Sequence, residues 1–146
     1  AVSDVTRNQV EMFTSEGARV VRVTEKVNQL VGSSTIATTT KRIILQMPAT
    51  PVRILAPRCL DSEIIGVALD GSPIKNSETW RFRNVSPQLI VGYARDGFPI
   101  YGQGIEESLL DACGGYDTGF GYQYHIREKE LFILGCFSAI PAQFFE

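Results

Sequence analysis

The sequence predicts a mainly β fold: a single compact antiparallel domain, sandwich-like or barrel-like, with at most one or two short helices. Three observations carry that expectation. First, the stretch VGYARDGFPIYG at residues 91–102 occurs twice in variant form. Gly66-Val67-Ala68-Leu69-Asp70-Gly71-Ser72-Pro73-Ile74 stands twenty-six residues ahead of Gly92-Tyr93-Ala94-Arg95-Asp96-Gly97-Phe98-Pro99-Ile100. Each copy is an apolar segment, then Asp-Gly, then Pro and an apolar residue. Asp-Gly between strand-like runs signals a hairpin, here expected as a type I′ turn with Asp70, Gly71, Asp96 and Gly97 at the bends. Second, residues 18–47 alternate and are rich in β-branched side chains. Third, the only good helical segment is short, at residues 106–111.

Taken in order, residues 1–17 read as an N-terminal arm or a short helix, ahead of a β-rich domain at residues 18–146. In the helical version Val5, Val10 and Phe13 mark an apolar face, Asp4 caps it and Gly17 stops it. From Ala18 the pattern is β, with Val21, Val23 and Val27 in one phase. Gly32-Ser33-Ser34 is a turn signal, so residues 18–47 predict an antiparallel pair. Pro48, Pro51 and Pro57 punctuate a connection with a short strand at residues 52–55. Trp80 and Phe82, two residues apart, would share one face of a strand. Residues 106–111 are acidic at their start, as the helix dipole favours, and Gly114-Gly115 ends them. Strands at residues 122–127 and 131–137 would pair across Glu128-Lys129-Glu130.

Whole-chain properties narrow the function classes. A length of 146 residues is enough to bury a core without metal or disulfide support. The net charge of −2, with basic residues scattered, predicts no nucleic-acid partner. No apolar run approaches the roughly 20 residues of a membrane span. The opening Ala1-Val2-Ser3-Asp4 has no basic n-region or apolar h-region, so localisation rests on the cysteines. Cys59, Cys113 and Cys136 contain no CxxC pair. One disulfide plus a free thiol fits an oxidising compartment, whereas three buried thiols fit a cytosolic one. The candidate disulfide is Cys113–Cys136, which flanks the expected C-terminal hairpin.

Several motifs occur jointly and in order. Residues 92–102 carry GYARDGFPIYG, and Leu110-Asp111-Ala112-Cys113-Gly114-Gly115 follows. Tyr122-Gln123-Tyr124-His125 and Leu134-Gly135-Cys136-Phe137 come next. Together with residues 66–74, these make residues 57–137 resemble the YHYH domain family. The chain departs from that pattern at Gln123, where the family carries its first histidine. The resemblance implies a β fold and an exterior setting, secreted or on a virus particle. It implies no particular reaction.

The candidate chemistry is sparse. His125 is the sole histidine, which excludes multi-histidine metal sites. A divalent cation would need His125 together with carboxylates such as Asp96, Asp111 or Asp117, a set suited to Ca²⁺, Mn²⁺ or Mg²⁺. Against this, a histidine between tyrosines reads as a hydrogen-bonded strand residue, and Asp111 and Asp117 read as backbone caps. Asp70 and Asp96 would serve acid–base chemistry only if they faced one cleft; as Asp-Gly turn residues they need no such role. Neither Cys113 nor Cys136 has an identifiable orienting group for a Cys–His nucleophile. Tyr93, Tyr101, Tyr116, Tyr122 and Tyr124, with Phe98 and Phe120, divide between a core and a recognition surface. Phe144 and Phe145 end the chain and need a surface to pack on, in this domain or a neighbour. The function expected is therefore a non-enzymatic structural or interaction module of a surface, secreted or virion assembly. Its partners would be copies of itself or other subunits, and loss of residues 1–17 or 141–146 would break the assembly. The alternative is a metal-binding or ligand-binding secreted domain built on His125.

Overall fold

Two sheets, one of three strands and one of six, make up the molecule. The computed structural model describes residues 3–127 and 129–145. Ala1, Val2, Glu128 and Glu146 lie outside the described residues, and with them parts of the expected arm, C-terminal turn and tail.

The small sheet is a meander of β1 (Ser3–Ser15), β2 (Ala18–Val31) and β3 (Ser34–Pro48), with β2 in the centre. The helical reading of the first segment is therefore corrected. Val10 and Met12 alternate inward with Glu11, which pairs across to Arg22 on β2, so a period of two prevails over a period of 3.6. Gly17, expected as a helix stop, forms a two-residue turn with Glu16. Their φ values of 80° and 50° are the left-handed pair that a type I′ hairpin requires. The β2–β3 pairing runs from Ala18↔Pro48 to Val31↔Ser34, as the sequence predicts for that region. Ile44 is bulged on β3, and its carbonyl accepts a hydrogen bond from Phe145 N (2.8 Å).

The large sheet contains β4 (Ile64–Ala68), β5 (Pro73–Lys75), β6 (Ile90–Ala94), β7 (Pro99–Tyr101), β8 (Gly115–Asp117) and β9 (Tyr122–His125). Its order is β5-β4-β6-β7-β9-β8. The sheet is antiparallel except between β7 and β9, which run parallel through Ile100↔Tyr124 and Tyr101↔His125.

Both Asp-Gly units form hairpins, but not through type I′ turns. Ala68 N donates to Ser72 O (2.8 Å) and Gly71 N to Ala68 O (2.9 Å). Ala94 N donates to Phe98 O and Gly97 N to Ala94 O, both at 2.9 Å. This is the three-residue loop in which a type I turn is closed by one left-handed glycine. Accordingly Gly71 (φ 85°) and Gly97 (φ 97°) are left-handed, while the aspartates are not. Each aspartate instead accepts from the backbone N–H two residues on, at Ser72 (2.9 Å) and Phe98 (3.2 Å).

The two hairpins meet along β4 and β6 with Gly66↔Ala94, Val67↔Tyr93 and Ala68↔Gly92. That register maps onto itself under the twenty-six-residue repeat, so a local two-fold relates the copies. A Cβ on Gly66 would stand 2.2 Å from Tyr93 O, and one on Gly92 would stand 2.2 Å from Val67 O. Gly66→Ala or Gly92→Ala is expected to cost about 2 kcal/mol, because the strands must part. Urea unfolding of each variant checks this, and an unchanged midpoint would show that the strand pair yields freely.

Other connections differ from expectation. Residues 52–55 form no strand; Ile54 N donates to Ser138 O (2.9 Å), while Val52 and Leu55 face solvent. Trp80 and Phe82 lie in a 3-10 turn, Thr79–Phe82, that exposes Trp80 and packs Phe82 on the core. The helix expected at residues 106–111 is a single 3-10 turn, Glu107–Leu109. Residues 131–137 are not a strand paired with β9, whose neighbours are β7 and β8. Their backbone is held by Asn76, whose Oδ1 accepts from Ile133 N (3.1 Å) and Leu134 N (2.7 Å) and whose Nδ2 donates to Leu134 O (2.9 Å).

The two faces of the large sheet carry different cores. Ile65, Ile74, Ile100, Tyr124 and Phe137 pack on one side. Val67, with Tyr93, meets Val21, Leu45 and Met47 of the small sheet on the other. Arg95 is 2% exposed and ties β6 to residues 61–64 and to the C-terminal segment. Its guanidinium donates to both carboxylate oxygens of Asp61, to Ile64 O and to Ala142 O. That bidentate pair holds the Asp61 carboxyl down at about 2. Among the described residues no helix is long and apolar enough to cross a membrane.

Candidate functional site

Strand β9 sorts the Tyr-Gln-Tyr-His motif by its period of two. Tyr122 and Tyr124 point into the core, and Gln123 and His125 lie on the opposite face. On the inner side the Tyr124 hydroxyl donates to Asp96 Oδ2. The same carboxylate oxygen accepts from Ser138 N (3.1 Å) and Ala139 N (3.3 Å). Asp96 is 0% exposed, and burial pushes its carboxyl up against the downward pull of those hydrogen bonds. Burial likewise raises both tyrosine hydroxyls, Tyr124 additionally through the adjacent Asp96 charge. This cluster fastens β9, the Asp96 turn and the C-terminal segment to one another.

On the other face His125 lies between two tyrosine rings, with centroids 5.5 Å away at Tyr101 and 5.4 Å away at Tyr116. Its Nδ1 is 3.2 Å from Gly102 O and its Nε2 is 2.8 Å from Gln123 Nε2. A carbonyl only accepts, so Nδ1 carries the proton and Nε2 accepts from the Gln123 amide. Burial lowers the imidazole pKa, consistent with this neutral tautomer.

Asp111 caps the loop that leads into β8. Its Oδ1 accepts from Cys113 N (2.9 Å), Gly114 N (3.1 Å) and Gly115 N (3.2 Å), and its Oδ2 accepts from the Tyr122 hydroxyl (2.7 Å). Asp117 Oδ1 accepts from Gly119 N (2.8 Å). Beside them Cys113 and Cys136 form a disulfide, and Cys59 is a free, exposed thiol. The candidate metal set of His125, Asp96, Asp111 and Asp117 is thus not brought together: Asp96 and Asp111 are linked only through Ser138 and the Tyr122 hydroxyl, and His125 and Asp117 have other hydrogen-bond partners. Among the described residues no three His, Cys, Asp or Glu side chains converge to hold an ion. Asp70 and Asp96 are no closer to a shared chemistry. Their turns follow antiparallel strands and so project from opposite ends of the β4–β6 pair.

Next to the tyrosine–histidine stack opens a cleft of about 500 Å³. Arg19 of β2, Tyr93 of β6, Tyr101 of β7, Gln123 of β9 and the loop carrying Phe120 help to form it. Among the described residues Arg19 is its single charged lining residue, with the guanidinium carbon 3.7 Å from the Tyr93 ring centroid. Arg19 Nε is buried without a hydrogen-bond partner among the described residues. The tyrosines therefore divide as the composition suggested: Tyr122, Tyr124 and Phe98 are core, while Tyr93, Tyr101 and Tyr116 are half-buried and Phe120 is fully exposed. Sequence reasoning missed Arg19, since an arginine within a strand carries no local signal of the cleft it will face.

A second surface lies far from the cleft. β2 has fourteen residues and spans roughly 45 Å, but only its first half is covered. Residues 29–41 are exposed throughout, among them Leu30, Val31 and Ile36. At the chain end, Phe144 packs with Val10, Met12 and Ile44 on this domain's own core, and Phe145 is 52% exposed. Compared with models of known protein families, with curated proteins and with solved structures, the chain matches none.

Proposed function

We propose that the chain is a non-enzymatic structural module of an assembly outside the cytoplasm, joined to its neighbours through the distal half of the β1–β2–β3 sheet. One observation carries this reading: among the described residues, positions 29–41 of that half are exposed on both faces of the sheet. Leu30, Val31 and Ile36 are exposed there, and β1 and β3 are the edge strands of the sheet. Long exposed edges invite strand addition and are usually blunted when no partner is meant to reach them. Burial of those side chains and edges against another subunit stabilises what the monomer leaves wet. The disulfide is compatible with an oxidising location.

The test is a shortened chain. Val27 pairs with both Val5 and Thr38, so residues 27–38 can be replaced by Asn-Gly and residues 1–5 removed without disturbing the remaining register. Native mass spectrometry is expected to show an oligomer for the full chain. The shortened chain should be a monomer that keeps its Cys113–Cys136 bond. A full-length chain that stays monomeric at its highest soluble concentration would overturn the reading.

A further inference from the structure

We infer that the cleft beside Arg19 binds a carboxylated sugar, a uronic-acid unit of an acidic polysaccharide. This site is separate from the distal sheet and does not depend on the assembly reading. Three features of the cleft select that ligand chemistry.

The first is charge. Arg19 is the only ionised side chain lining the cleft, and no ion pair neutralises it among the described residues. Its Nε–H is buried without an acceptor, a costly state for a donor. The Tyr93 ring, 3.7 Å from the guanidinium carbon, holds the group at the cleft wall. The paired N–H groups of a guanidinium match the two oxygens of a carboxylate, and no acceptor among the described residues takes those of Arg19.

The second is the ring-binding surface. Tyr101 lines the cleft and is held in place by its stack on His125. Phe120, fully exposed, stands at the cleft as a further aromatic surface. Aromatic faces of this kind receive the C–H face of a pyranose, an apolar contact with no need for a second charge. The third is a preset neutral acceptor. The Gln123 amide nitrogen is committed to His125, which orients the side chain and leaves Oε1 without a partner among the described residues. That oxygen can accept from a sugar hydroxyl, and His125 acts as the positioning residue for both Gln123 and Tyr101. A single guanidinium with no converging backbone amides is a poor cradle for phosphate groups, which argues for one carboxylate per sugar unit. The volume of about 500 Å³ lies within the range of small-molecule sites.

Isothermal titration calorimetry of the full chain at low salt, with tetrasaccharides of galacturonate, glucuronate and mannuronate and their neutral counterparts, tests the inference. At least one acidic tetrasaccharide is expected to bind about tenfold or more tightly than its neutral counterpart. Arg19→Gln should weaken that binding by about tenfold, and added salt should weaken it too. Phe120→Ala removes a side chain that supports no core, so it should lower affinity by about threefold while leaving stability unchanged. The inference is overturned if none of the acidic sugars binds, if neutral counterparts bind equally well, or if Arg19→Gln and Phe120→Ala both bind undiminished. Oligomeric state in Arg19→Gln is expected to match that of the parent, which keeps this result distinct from the assembly test.

Discussion

Asp96→Ala is expected to destabilise the domain by roughly 3–5 kcal/mol, the range for removing one member of a buried, fully bonded charged cluster. The carboxylate accepts from Phe98 N, the Tyr124 hydroxyl, Ser138 N and Ala139 N, and none of these donors has water to turn to. Asp96→Asn keeps the shape but places an amide N–H₂ against donors, so it should also be costly. Asp70→Ala, in the same local sequence, should cost far less, because Asp70 is exposed and bonds only within its own turn to Ser72. Urea unfolding of the three variants checks this order. Equal losses at Asp70 and Asp96 would reduce the cluster to a simple turn effect.

The same site has a pH signature. Burial raises the folded-state pKa of Asp96 above its unfolded value, so the native state binds this proton more tightly than the unfolded chain does. Its contribution to stability is full below the unfolded value near 3.8 and is lost as pH rises through the folded value. The stability advantage of the parent over Asp96→Asn should therefore widen as pH falls from neutrality towards about 4, since other titrations cancel in the difference. Asp61 acts in the opposite sense. Its lowered pKa makes the Arg95 pair stabilising above about 3.8, with that contribution lost as pH falls towards about 2.

Removing the disulfide is the second large effect. Cys113 and Cys136 are 23 positions apart, and the loop-entropy relation assigns a link of that span about 3 kcal/mol. For a chain of this size, Cys113→Ser with Cys136→Ser should lower Tm by roughly 10 °C. The effect should be felt first at residues 131–137, which have no strand partner. They are held by Asn76, by the Gly135 N–Cys113 O hydrogen bond, by the Arg58–Phe137 bridge and by the disulfide itself. Hydrogen exchange in the double variant is expected to rise there before it rises in β4 or β6. Identical midpoints for the parent with and without reductant would sink this account.

Features governed by neighbouring residues could be read from the chain alone. Asp-Gly followed by Pro announced both hairpins and Gly32-Ser33 announced the β2–β3 turn; the Cys113–Cys136 bond forms as expected, although the hairpin expected between the two cysteines does not. The turn type escaped because Asp-Gly serves both a two-residue loop and a three-residue loop, and only the register tells them apart. Val5, Val10 and Phe13 were ambiguous because a sparse apolar set fits either period until a partner strand selects one. Residues 131–137 have strand-like composition, yet their backbone groups go to scattered partners, Asn76, Cys113 O and Arg58, rather than to one neighbouring strand. The parallel β7–β9 pair depends on contacts remote in sequence, which no local pattern encodes. Asp70 and Asp96 make the same point for the site: their turns are alike, and only tertiary burial separates a surface residue from a buried hub.

The self-mapping register of β4 and β6 has a consequence for how this chain can vary. The centre of the sheet has the geometry of an isologous dimer interface enclosed within one polypeptide, each half presenting a glycine to its twin's carbonyl. In a homodimer one substitution changes both sides of such an interface together. Here the halves are encoded separately, so each glycine answers to a backbone it does not belong to. Relief of a side chain at Gly92 must come from a change near Val67, twenty-five positions away, and relief at Gly66 from one near Tyr93. Away from that seam the halves are released from each other, and one turn could remain at the surface while its counterpart became the buried centre of the fold.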